Sequence, residues 1–206
     1  MSTLIHRRTY DCEAFTEGDD ALRVRGHLVD SKPHGLCLAD GRRLVIHEMT
    51  VDLIVGAQSF EILDVQNSME ISPYRACSGI LVDYRQLIGT SITRGYTHRV
   101  REMFGGPKGC SHMGALLQAM GPVAIQASWS LANLRLQPKD RLSDGEIDPV
   151  ERERRMRLNL NTCHVWAEDS EQMALVQIGR TPKRPSWEVD RLRSLGVDVP
   201  ADQSDR

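Results

Sequence analysis

The chain has no C-x-x-C pair, no long apolar run and no surplus of one sign of charge, and each absence removes a class of function. Its five cysteines, Cys12, Cys37, Cys77, Cys110 and Cys163, are odd in number and widely spaced. That speaks against a disulfide framework and a finger-type zinc site, and for reduced thiols in a cytosol. Nothing approaches the ~18 consecutive apolar residues of a membrane span. The basic residues of the first segment, His6-Arg7-Arg8, are not followed by the apolar core of a secretory signal. A cytoplasmic protein is expected. Charge is balanced, 26 basic against 28 acidic residues for a net of −2, so no domain-wide positive field exists to hold a nucleic-acid backbone. The run Glu151-Arg152-Glu153-Arg154-Arg155 alternates in sign, as a solvated helix does. Neither nucleic acid nor membrane is an expected partner. Also missing are the P-loop spacing, the G-x-S-x-G elbow of a hydrolase triad and a dinucleotide fingerprint.

What is present is an ordinary globular composition, 40% hydrophobic and 26% charged over 206 residues, enough for one domain with a substantial core. Leu22–Val29 alternates apolar and polar residues as a half-buried strand does. Asp40-Gly41 is a hairpin-type turn signal, Leu44–Val55 is rich in β-branched residues, and Gly56-Ala57-Gln58 turns the chain into Ser59–Val65. After Ser72-Pro73 the period changes. Ile80, Leu81, Tyr84, Leu87 and Ile88 recur at helical spacing, and a short strand near Ser91–Arg94 and a short helix near His98–Phe104 follow. Met113, Leu116, Leu117, Met120, Ala124, Ala127, Leu131 and Leu134 form a long apolar helical stripe. Gly121-Pro122 is expected to kink or divide it. Gln137–Asp148 reads as a polar loop, Pro149–Arg157 as a charged helix, Asn159–Trp166 and Ala174–Ile178 as strands, and Trp187–Leu195 as a short helix, with Pro200–Arg206 frayed. The expected fold is α+β, a curved antiparallel sheet packed around a long central helix. It is read as a single domain over 1–206: N-terminal strands about 20–65, a helix-rich middle about 76–134, C-terminal strands about 159–178 and a tail about 180–206.

The densest chemistry lies in Gly105-Gly106-Pro107-Lys108-Gly109-Cys110-Ser111-His112. Glycine and proline make a turn that another group can approach closely. A helix follows, with Ser111 as its N-cap. The first amides and the positive end of that helix favour an anion, carboxylate or phenolate above the turn. They also favour a neutral His112, able to accept a proton. Cys110 and His112, two apart, point to different sides of a regular helix and converge only if Cys110 precedes it. The alternative is plain: Cys110 packs as a small apolar residue and His112 caps the helix. Further candidates end the first strong strand: His27, Asp30, Lys32 and His34. His27 and Asp30 differ by an odd number, so a regular strand puts them on opposite faces. His47 and Asp52 show the same odd separation, and a histidine on an apolar strand is commonly a hydrogen-bonded core residue.

His6-Arg7-Arg8 with Tyr10-Asp11-Cys12, Leu28-Val29-Asp30-Ser31-Lys32, Cys77, Leu87-Ile88-Gly89, Gly95 and above all Gly109-Cys110-Ser111-His112-Met113 resemble a bacterial family catalogued as a domain of unknown function (DUF 2889). Its hallmark is G-C-[ST]-H-[LM] opening a helix, and the similarity runs over most of residues 5–180. The resemblance implies small-molecule catabolism and, most sharply, a lyase that releases a hydroxymethyl group as formaldehyde from lignin-derived aromatic dimers. That reaction needs a base for the hydroxyl proton and a sink for the electrons. His112 or Asp30 can be the base, with Cys110 beside them. Lys32, Tyr10, Lys108 and the helix amides at Gly109 and Ser111 can stabilise a phenolate, and His27 can join the substrate pocket. No cofactor is required, and a divalent metal is left open. Two other readings stay open beside the lyase, a metal-dependent hydrolase using Cys110, His112 and an Asp or His from the strand region, and a non-catalytic domain that binds an anion or small ligand at the helix N-terminus. The apolar stripe suggests a homodimer.

Overall fold

The computed structural model describes residues 1–35, 41–93, 95–135 and 148–199. Cys37, Asp40 of the expected turn, Arg94, most of the expected polar loop and the expected frayed tail lie outside the described residues. The chain forms two compact units, Met1–Leu136 and Gln137–Arg206.

The first unit is a four-stranded antiparallel meander, β1 (Arg7–Glu17), β2 (Ala21–Lys32), β3 (Leu44–Gly56) and β4 (Ile62–Ile71), in the order β1-β2-β3-β4. The alternation that marked the strands also sorts their faces. Leu22, Val24, Leu28 and Asp30 of β2 are buried, and so are Met49, Val51, Leu53 and Val55 of β3, whereas the residues between them are more open. β1 did not figure among the expected strands. Its inner positions hold Tyr10, Cys12 and Ala14, too little apolar mass to announce a strand.

A run of 3₁₀ turns over Arg75–Leu87 follows, then α1 (Tyr96–Phe104) and α2 (Ser111–Arg135). The α2 helix lies on the inner face of β1, β2 and β3 and buries Met113, Leu116, Leu117, Met120, Ala124 and Leu131 against it. The fold is therefore α+β, an antiparallel sheet packed on a long helix. Pro122 does not divide that helix, which runs on through it with the proline exposed. Of the short strand expected near Ser91, only an isolated bridge from Ser91 to Glu61 is seen.

The second unit is helical: α3 (Pro149–Asn159), α4 (Glu171–Gln177) and α5 (Ser186–Ser194). The expected strands at Asn159–Trp166 and Ala174–Ile178 are absent here, and the local chemistry explains it. Asn161 takes a left-handed φ of 57°, and its side chain accepts from the Glu168 amide at 3.0 Å, which makes a turn. Ser170 caps α4 by accepting from the Met173 amide at 3.2 Å, which starts a helix where a strand was expected. Asp148 caps α3 in the same way through the amides of Val150 and Glu151. Among the described residues, no helix is long and apolar enough to cross a membrane.

Candidate functional site

Strand pairing turns one end of the inner face from apolar to charged. Cys12, Gly26 and Val51 stand in one cross-strand row, Tyr10, Leu28 and Met49 in the next, and Arg8, Asp30 and His47 in the row after that. Each step is two residues along every strand, so all nine share a face.

The helix layer keeps step with these rows. His112, Leu116 and Met120 recur every four residues along one side of α2. Four helical residues rise about 6 Å and two strand residues about 6.7 Å. Leu116 and Met120 fill the space above Gly26, where an added Cβ would come within 2.7 Å of Met120 Sδ and 3.0 Å of Leu116 Cδ1. One turn earlier, His112 reaches Asp30.

The Asp30 side chain is only 2% exposed. Arg8 Nη2 donates to its Oδ2 at 2.6 Å, and His6 Nε2 lies against Oδ1. His47 Nδ1 and His112 Nε2 stand 3.3 and 3.4 Å from Oδ2. The two imidazole rings stack with centroids 3.8 Å apart and planes at 30°. Asp30 Oδ1, against His6, and His47 Nδ1 are both sealed from solvent, and His47 Nδ1 has no partner in hydrogen-bonding geometry among the described residues.

Charge settles the protonation of this cluster. Burial pushes the Asp30 carboxyl up, but the Arg8 hydrogen bond and charge, with His6, outweigh it and hold the group at about 2. Burial lowers the His112 pKa, and the neighbouring His47 and Arg8 lower it further against the pull of Asp30. The cluster at neutral pH is an ionised carboxylate, a guanidinium and a neutral His112.

The glycine-rich turn sets the helix start. Gly109 is extended, with φ −164°, and a Cβ there would sit 2.4 Å from Phe104 O and 2.7 Å from Phe104 Cβ. Only glycine lets the turn close over Phe104. Ser111 is the first helical residue rather than the cap, and Cys110, one before it, accepts the Gly114 amide at 2.9 Å. Because Cys110 precedes the helix, its Sγ comes within 3.7 Å of His112 Nδ1. The Cys110 amide is not free for an anion: it donates to the Tyr84 hydroxyl at 2.9 Å.

The structure thus brings Asp30, Cys110 and His112 together, with Gly109 and Ser111 flanking Cys110, and places Lys32, Lys108 and His27 elsewhere. Tyr10 is on the same face as Arg8, one row from Asp30. Lys32 ends β2 beyond the bulge at Asp30/Ser31. Lys108 reaches the Glu102 carbonyl at 3.5 Å, near the end of α1. His27 is on the opposite face of the sheet, 3.2 Å from Glu48. Three residues of the cluster were not among the sequence-expected site residues: His6, Arg8 and His47. Tyr84, which read as part of an apolar stripe, is the residue that anchors Cys110.

A cleft of about 290 Å³ adjoins Cys110, lined by Val100, Phe104, Ser111, Gly114 and Gln118 among others. One donor atom each from Asp30, His47 and His112 lies within 4.8 Å of the others, so these three side chains could hold a metal ion.

The family model described as Protein of unknown function (DUF2889) matches residues 6–126. The chain belongs to this family. The matched span opens on His6 and takes in Arg8, Asp30, His47, Tyr84, Cys110 and His112, whereas the helical unit from Gln137 onward lies outside it. Searches of curated proteins and of solved structures found no match.

Proposed function

We propose that this chain is a small-molecule catabolic lyase that cleaves a C–C bond by acid–base chemistry at the Asp30–His47–His112 cluster. The substrate class is a hydroxymethyl-bearing, lignin-derived aromatic compound, and the product that leaves is formaldehyde. In this step the hydroxyl proton is taken up, the O–H electron pair becomes the new C=O bond, and the C–C bond to the departing carbon breaks. Its electrons pass into a conjugated position of the aromatic partner, which later takes a proton. No electron is gained or lost overall.

The observation that carries this reading is the convergence of a buried carboxylate with two stacked imidazoles at one end of the sheet. The neutral His112 imidazole, held by Asp30, can take up a hydroxyl proton, and the Arg8 guanidinium close by supports a developing oxyanion. The cleft next to Cys110 has Val100 and Phe104 in its wall, room for an aromatic ring, and Cys110 links it to the cluster through the 3.7 Å contact of its Sγ with His112 Nδ1. A homodimer in the cytoplasm belongs to the same proposal, and light scattering tests the dimer.

Incubation with a panel of hydroxymethyl-bearing lignin-type dimers is expected to release formaldehyde. His112→Ala and Asp30→Asn should slow release by roughly 10²–10⁴-fold. A folded wild-type protein that releases none from any panel member would refute the reaction.

A further inference from the structure

We infer that Asp30, His47 and His112 form a binding site for one divalent first-row transition ion of the zinc or cobalt type, with Arg8 and His6 orienting the carboxylate. The inference rests on the same cluster as the lyase reading but not on its reaction.

The distances are those expected of ligands to one ion. Donors about 2.0–2.1 Å from a tetrahedral ion stand about 3.3–3.4 Å from one another. His47 Nδ1 and His112 Nε2 lie 3.3 and 3.4 Å from Asp30 Oδ2. Both nitrogens approach the same carboxylate oxygen, as two edges of such a coordination polyhedron would. The remaining separation is within the 4.8 Å limit that holds for all three donors.

A second observation is independent of those distances. The buried His47 Nδ1 has no partner in hydrogen-bonding geometry among the described residues, although it stands beside a carboxylate that is only 2% exposed. Buried polar atoms are normally satisfied, and an unplaced ion is one standard reason when they are not. A cation held by His47 Nδ1 and Asp30 Oδ2 would offset the cost of burying their lone pairs.

The surrounding groups fit an outer shell. Each carboxylate oxygen has two lone-pair directions, so Oδ2 can accept from Arg8 at 2.6 Å and still face an ion. Hydrogen-bonded partners of this kind fix a ligating carboxylate and are a regular part of metal sites. Two imidazoles with one carboxylate suit zinc, cobalt, iron or manganese, whereas magnesium and calcium favour oxygen-only sets. Such an ion, when bound, supplies Lewis-acid polarisation of a substrate oxygen.

The test uses the full chain, stripped with a chelator and titrated with Co²⁺ alone. Metal analysis after dialysis and the visible ligand-field absorption are the readouts. One equivalent per chain is expected, with Mg²⁺ failing to compete. His47→Gln and His112→Gln should each weaken uptake by at least ~10-fold. His98→Gln, on an exposed side chain of α1, should leave it unchanged. Asp30→Asn is a third probe should either histidine variant fail to fold, and thermal unfolding shows which variants are folded. No saturable uptake by folded wild-type protein at ~100 μM free ion would overturn the inference, as would uptake that survives both histidine substitutions. Formaldehyde release by stripped protein that binds no Co²⁺ would sink the metal and keep the lyase. One bound ion with no release would do the opposite.

Discussion

Tyr84→Phe removes one oxygen atom, and the structure allows its cost to be worked out. The Tyr84 side chain is buried, at 1% exposure, and its ring packs against Phe104 with centroids 4.5 Å apart. Phenylalanine keeps that packing and leaves no cavity of consequence. What disappears is the acceptor for the Cys110 amide at 2.9 Å. A hydrogen bond of this kind contributes about 0.5–1.5 kcal/mol net, and a buried donor left without a partner costs about 1–3 kcal/mol. Cys110 is half-buried, so some water can reach the freed amide, and a loss of about 1–2 kcal/mol is expected. For a unit of this size that corresponds to a fall in the melting midpoint of about 3–8 °C. Thermal and urea unfolding of the full chain measure it, with the urea slope unchanged because the surface exposed on unfolding is the same. The His112 imidazole signals should also move in the NMR spectrum, since the same bond fixes the start of its helix. A variant as stable as wild type to within about 0.3 kcal/mol, with those signals in place, would refute the anchoring role of Tyr84.

Gly109→Ala puts a methyl group 2.4 Å from the Phe104 carbonyl oxygen, and backbone cannot yield as a side-chain tip does. A loss of about 2–3 kcal/mol is expected, and an unchanged urea midpoint would count against the close approach. Gly26→Ala meets Met120 Sδ at 2.7 Å, the end of a flexible side chain, so a smaller loss of about 1–2 kcal/mol is expected. Met120→Ala in the Gly26→Ala background should be less harmful than the two separate losses added together; strict additivity would show that the two do not touch.

Leu44–Val55 was legible from its β-branched residues, and Leu22–Val29 from its alternation, because each side of the sheet has its own environment. The long stripe from Met113 onward was legible for the same reason. β1 was not, because its outward positions mix charged residues with Thr9 and Phe15 and its inward ones run from Arg8 and Tyr10 to Cys12 and Ala14, which leaves little periodic contrast. In the second unit, Ala174–Ile178 is rich in β-branched and apolar residues, but the Ser170 cap decides for a helix. The site was legible in halves. Parity within one strand separated His27 from Asp30 correctly, and likewise His47 from Asp52, which pairs outward with Arg25 at 2.9 Å. Parity says nothing of register between strands, and register is what sets His47 opposite Asp30 and Arg8 on its other side. A lone histidine on an apolar strand reads as core until the facing strand is known.

The cluster also depends on two glycines that touch none of its polar atoms. Gly26 lets α2 settle onto β2 with Leu116 and Met120 in the gap, and Gly109 lets the turn fold over Phe104 so that the helix starts where it does. Between them they fix both the height of α2 above the sheet and its position along it. His112 Nε2 stands 3.4 Å from Asp30 Oδ2, so a lift or slide of only about 1 Å would carry the imidazole out of reach. Displacements of that size are enough to cost roughly 10²-fold in a positioned reaction. Substitution at Gly26 or Gly109 should therefore depress turnover, and metal uptake with it, by more than the measured loss of folded protein accounts for. If activity instead follows the folded fraction alone, the helix height does not control the cluster, and His112 must be held by its contacts with His47 and Cys110.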